Sequence, residues 1–140
     1  MAALAWTLVV EDAPDHQRLI SAALTEVAGD VLVHEALDGA HAISWLRKRL
    51  GDPEALRGGM VIVDLGLPRI SGFQVLEWMR EMPQLSRIPA VVLTASKDAI
   101  DEEHALALGA KGYFQKPKDP REYVSIFQKV FHGAGQPSAA

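Results

Sequence analysis

Short apolar runs alternate with amphipathic stretches five times along this chain, and few folds accept that pattern. The runs cover residues 5–10, 31–36, 60–63, 90–93 and 111–115. Residues 7–10, 60–63 and 91–93 are near-continuous apolar runs, as in strands buried on both faces of a helix-covered parallel sheet. The run 31–36 is more mixed and suits a place nearer a sheet edge.

Between the runs, apolar residues recur at spacings of three and four. Leu19, Ile20, Ala23, Leu24 and Val27 form one helical stripe, ended by Gly29. Ile43, Leu46 and Leu50 form a second, after Asp38-Gly39. A third opens at Ser71, a good N-cap, and carries Val75, Leu76 and Met79. A fourth runs from Asp98 to Leu108 with a thin, mostly alanine face. The fifth starts at Asp119-Pro120, with Glu122 three residues after Asp119. That reads as an N-cap, a proline at the first helical position and a capping-box partner. Tyr123, Phe127 and Val130 make its stripe. Strands and helices alternating with short links imply an α/β fold, a parallel sheet with helices on both faces. The longest irregular stretch is 51–59. Residues 133–140 are expected to be a disordered tail, which leaves 5–132 as the domain.

Composition excludes several functions. A length of 140 residues fits one domain. With 14 basic and 18 acidic residues the net charge is −4, a poor match to DNA phosphates. The absence of cysteine removes disulfide scaffolds, thiolate metal sites and thiol catalysis, and fits a reducing cytoplasm. The apolar N-terminal stretch has no Lys or Arg before it and Glu11-Asp12 directly after it. At about half the length of a membrane span, it reads as a strand, not as a signal peptide or a membrane anchor.

In an open α/β sheet, ligands bind beyond the carboxyl ends of the strands. Glu11 and Asp12 follow the first strand, Asp64 the third, Thr94, Ala95 and Ser96 the fourth, and Lys116 with Pro117 the fifth. Taken singly, an acidic pair reads as a helix cap or turn, Thr94 as an N-cap and Lys116 as a solvated charge. Together they make chemical sense. Three adjacent carboxylates repel, and a divalent cation with a lysine offsets that charge. Mg²⁺ suits such oxygen donors and also binds phosphate oxygens. A carboxylate beside such a metal, a lysine and a hydroxyl is a phosphoryl-transfer site, with the carboxylate itself a possible nucleophile.

Four blocks in order carry a resemblance: Val9-Val10-Glu11-Asp12, then Val63 to Gly72 (VDLGLPRISG), then Leu93-Thr94-Ala95, then Gly109 to Pro117 (GAKGYFQKP). With the five β-α units they resemble the response-regulator receiver domain of two-component signalling, over nearly the whole chain. The resemblance implies a CheY-like, flavodoxin-like (βα)5 fold with strand order 2-1-3-4-5. It implies a phosphoacceptor, not an enzyme acting on other molecules. Asp64 is expected to take a phosphoryl group from a sensor histidine kinase. Asp12, Asp64 and the Gly66 carbonyl are expected to ligate Mg²⁺ (or Mn²⁺) directly, and Glu11 through a water. Lys116 is expected to hold a phosphoryl oxygen, with a cis bond to Pro117. Thr94 and Tyr113 are expected to move together as the switch.

Glu11 stands where Asp is commoner in the family. Gly66 and Ser96, at positions that often tune hydrolysis, are small and uncharged, so no strong assistance is expected from them. The long 51–59 link and the Glu-Asp-Ala-Pro-Asp loop resemble stand-alone regulators that partner phytochrome-type kinases. With no room for an output domain, action through a downstream partner or a phosphorelay is expected. The fourth helix, fifth strand and fifth helix are the expected output surface and homodimer face (α4-β5-α5 in the family's terms). His16, His34, His41, His104 and His132 lack metal-ligand spacing and are read mostly as surface residues. Trp6, Trp45 and Trp78 are read as packing. The competing functions are a haloacid-dehalogenase-like phosphatase, which wants an Asp where Gly66 stands, a flavodoxin-like carrier, and a receiver fold that binds without phosphorylation.

Overall fold

The computed structural model describes residues 4–133. Five parallel strands run β1 (Trp6–Val10), β2 (Leu32–Ala36), β3 (Gly59–Val63), β4 (Ala90–Thr94) and β5 (Gly112–Gln115), in the order β2-β1-β3-β4-β5. The helices are α1 (Pro14–Ala28), α2 (Gly39–Arg47), α3 (Pro53–Leu56), α4 (Gly72–Glu81), α5 (Ala99–Ala107) and α6 (Glu122–Gln128). This is the CheY-like arrangement expected from the sequence.

Successive residues of a strand point to opposite faces, and the core divides accordingly. Leu8, Val10, Val61, Val63 and Val92 pack with α2, α4 and α5 through Ala42, Leu46, Val75, Leu76, Met79 and Ala105. Val9, Ile62, Val91 and Leu93 pack on the other face with Ile20, Leu24, Tyr123 and Phe127 of α1 and α6. All residues of β1, β3 and β4 are buried, as continuous apolar runs require, whereas β2 at the edge exposes Leu32 and Glu35. Burial of both faces ties each central strand firmly to its neighbours, which fixes the strand ends that follow.

Local chemistry sets the helix starts. Asp38 accepts the His41 N–H at 2.7 Å, and Ser71 forms a full capping box with Gln74. Gly29, at φ 55°, ends α1 in a left-handed turn that favours glycine. Two expectations are corrected. The stretch 51–59 is not wholly irregular, because Asp52 accepts from Glu54 and Ala55 N–H and nucleates α3. Asp119 does not cap α6. Its carboxylate is taken by the Arg121 side chain and backbone N–H, so the helix begins at Glu122 without a capping box. One π-type turn, Lys129–Gly133, follows α6. The expected tail lies outside the described residues, except for Gly133.

The tryptophans pack, as read. The rings of Trp6 and Trp45 lie 5.1 Å apart, and Arg47 sits over Trp78 at 5.7 Å. Tyr123 and Phe127 are buried, and Phe131 stacks on Phe127. The thin face of α5 buries Ala105 and leaves Ile100 and Leu106 exposed.

Candidate functional site

The strand order makes β1 and β3 neighbours, with β4 and β5 following. Single backbone bonds carry the sheet pairing past the strand ends and lock the residues there. Glu11 N–H donates to Ala36 O (3.0 Å), Asp64 N–H to Val10 O (3.1 Å) and Lys116 N–H to Thr94 O (2.7 Å). Glu11, Asp64 and Lys116, between 52 and 105 positions apart in sequence, are thus held at one edge by the rigid part of the fold.

One carboxylate oxygen from each of Glu11, Asp12 and Asp64 lies within 4.8 Å of the other two. Glu11 and Asp64 are buried and Asp12 is exposed, so the group opens to solvent on one side. Lys116 Nζ lies 2.8 Å from Asp64 Oδ2 and 2.6 Å from Glu11 Oε1. The other oxygens are held by backbone: Asp64 Oδ1 accepts from Gly66 N–H at 3.1 Å, and Glu11 Oε2 from Ala13 N–H at 3.1 Å. Charged acceptors on fixed donors make strong, well-oriented contacts.

Burial pushes the Glu11 carboxyl above its ordinary value, and the Lys116 and Ala13 contacts oppose this without cancelling it. Burial also works against the Lys116 charge, yet its bonds to Asp64 and Glu11 prevail and hold its pKa above the ordinary value. The lysine therefore stays charged among the acids. The donor set is all oxygen, acidic and open on one side, which fits a small hard divalent cation that keeps some of its waters. Such an ion would rest on Asp12, Asp64 and Glu11.

Thr94 is buried at the end of β4, with its hydroxyl accepting the Ser96 N–H at 3.4 Å. Asp98, not Thr94, caps α5. Tyr113 lies beside Val92 in the β4–β5 register and packs against the core on the α4 and α5 side. Its hydroxyl is out of solvent with no hydrogen-bond partner among the described residues. Ser96 is occupied by Asp101, to which its hydroxyl donates at 2.6 Å, and Gly66 leaves open space above Asp64. The Lys116–Pro117 bond is trans, contrary to the cis bond expected, and no cis peptide bond occurs among the described residues. A trans bond before proline is the favoured isomer, and with it Lys116 already reaches both carboxylates.

His16, which the sequence reads with the other histidines as a surface residue, stands at the site. Its Nδ1 lies 3.0 Å from Lys116 Nζ and 3.9 Å from Glu11 Oε1. Its position in the first turn of the helix after the acidic pair was the available signal.

Residues 7–128 match the family model of the response regulator receiver domain. The chain belongs to this family. Receiver domains are phosphoacceptor signalling modules of two-component systems. Among its relatives, this receiver domain is 29% identical over 126 residues to the response regulator Rcp1 of Synechocystis, covering 88% of this chain and 84% of Rcp1. The phosphorylated cyanobacterial phytochrome response regulator RcpA superposes with a TM-score of 0.80 at 30% identity, covering 92% of this chain and 94% of RcpA. The Mn²⁺-bound form of Rcp1 gives 0.77 at 27% identity, covering 91% of this chain and 93% of Rcp1. Other regulators it matches are longer, and it spans half or less of their length. No helix among the described residues is long and apolar enough to cross a membrane.

Proposed function

We propose that Asp64 accepts a phosphoryl group from a phosphohistidine of a sensor histidine kinase. The observation that carries this is the Lys116 ammonium, 2.8 Å from Asp64 Oδ2, beside two further carboxylates in a site open on one side. A carboxylate oxygen of Asp64 forms the new bond to phosphorus as the P–N bond of the donor breaks. Lys116, already aimed at Asp64, neutralises charge on the phosphoryl oxygens. Asp12, Asp64, Glu11 and the Gly66 carbonyl hold Mg²⁺ or Mn²⁺, which when bound supplies the remaining charge neutralisation.

Thr94 and Tyr113 act as the switch. Thr94 turns toward the phosphoryl group, and Tyr113 takes the space beside it. The small buried contact of α5 makes the α5, β5 and α6 surface the one that responds, by binding a downstream partner, passing the group on, or pairing with a second copy. The likeness to RcpA and Rcp1 supports a phytochrome-type kinase as the donor, in the cytoplasm. The test is intact-mass measurement after incubation with Mg²⁺ and acetyl phosphate. The expected result is a labile gain of one phosphoryl group, lost in Asp64→Asn. No gain in the wild-type protein overturns the reading.

A further inference from the structure

Lys116 Nζ meets Asp64 Oδ2 at 2.8 Å and His16 Nδ1 at 3.0 Å in hydrogen-bonding geometry, and Glu11 Oε1 pairs with its charge at 2.6 Å. An ammonium can only donate, so the ring nitrogen facing it must be unprotonated and the ring proton must sit on Nε2. We infer that His16 is a positioning residue for phosphoryl transfer, which aims the Lys116 ammonium through the Nδ1 lone pair. This inference rests on the function proposed above.

His16 is well placed for this. The α1 N-terminus that carries it is pinned to the site, because Glu11 accepts the Ala13 N–H and the Gln17 amide donates to Val9 O at 2.7 Å. Lysine has a long, flexible stem, and each acceptor restricts it further. The two carboxylate acceptors are not constant. Phosphorylation turns the Asp64 carboxylate into an acyl phosphate, which removes the negative charge shared by its two carboxylate oxygens and weakens that contact, and Glu11 is shared with a cation. His16 is the acceptor that neither event alters. A neutral ring also adds no negative charge to a pocket that must receive an anion, which a carboxylate at this place would do.

The decisive comparison is His16→Leu against His16→Asn, since the Asn side-chain oxygen restores an acceptor at the δ1 position. Initial phosphoryl uptake from acetyl phosphate, at saturating Mg²⁺, is followed by intact mass, with thermal unfolding as the check on folding. His16→Leu should slow uptake about tenfold, or about 1.4 kcal/mol on the barrier, and His16→Asn should recover to within about threefold of wild type. Equal rates for wild type and His16→Leu, or an Asn variant as slow as the Leu variant, overturn the role. In the metal-free wild-type protein, ¹⁵N spectra of the His16 ring should show the Nε2–H tautomer, and an Nδ1–H ring refutes the contact. Failure of the wild type itself to take up phosphoryl overturns the proposed function, and this inference with it, and is read without any variant.

Discussion

Gly66 lies in the stretch that links β3 to α4 and Gly72 opens α4, and their replacement by alanine should have very unequal consequences. A Cβ at Gly72 would stand 2.2 Å from the Asp64 carbonyl oxygen, 2.7 Å from Leu65 Cα and 2.9 Å from the Asp64 carbonyl carbon. All three are backbone atoms that cannot rotate away. Gly72 N–H also donates to Leu65 O at 3.1 Å, so the start of α4 and the Asp64 peptide are tied together. Reaching ordinary contact means moving one of them by about 1 Å. Overpacking of this kind costs about 3 kcal/mol, at the upper end of the usual range because nothing flexible can yield. For a domain of this size that lowers the unfolding midpoint by about 10 °C. The displaced peptide carries the acceptor aspartate, and a 1 Å misplacement of a reacting group costs about 100-fold in rate. At Gly66 the nearest atom to an added Cβ is Asp64 Oδ1 at 3.9 Å, so Gly66→Ala should leave the midpoint unchanged. The assay is thermal unfolding and acetyl-phosphate uptake on both variants. A Gly72→Ala protein with wild-type midpoint and uptake would refute the reasoning, as would equal losses in both.

Three further outcomes are expected. Gly59→Ala should destabilise by about 3 kcal/mol, because the Trp6 ring fills the place of the new Cβ, and combining it with Trp6→Ala should be clearly non-additive in denaturant titrations. Mg²⁺ at a hundredfold excess over its dissociation constant should stabilise by about 2.7 kcal/mol, chelation should reverse this, and Asp12→Asn should lose most of it, as read by calorimetry. Folding raises the Lys116 pKa, so its stabilisation is complete below its ordinary value of 10.5 and is lost as pH rises through the folded-state value. Lys116→Met should therefore show a shallower loss of thermal stability above that pH than the wild type does.

How far the sequence reaches is visible in particular residues. The runs at 60–63 and 90–93 announce buried strands because burial on both faces leaves no polar position in them. Ser71 and Asp38 announce helix starts because a cap needs only its own next three residues. Asp119 follows the same local rule and fails, because Arg121 offers its carboxylate a better partner. His16 is invisible as a site residue, since its partner lies 100 positions away.

The sequence by itself determined the five β-α units, the caps at Asp38 and Ser71 and the residues at each strand end, because these depend on interactions within a few residues and on the period of burial. The four motif blocks made the family legible for the same reason. The place of β1 beside β3 and the meeting of Glu11, Asp12, Asp64 and Lys116 were legible only through the family resemblance, and only the tertiary structure decided that Lys116 meets His16, that Arg121 takes the Asp119 carboxylate and that the Lys116–Pro117 bond is trans. The His16 contact depends on how distant elements pack against one another, and no local pattern encodes that.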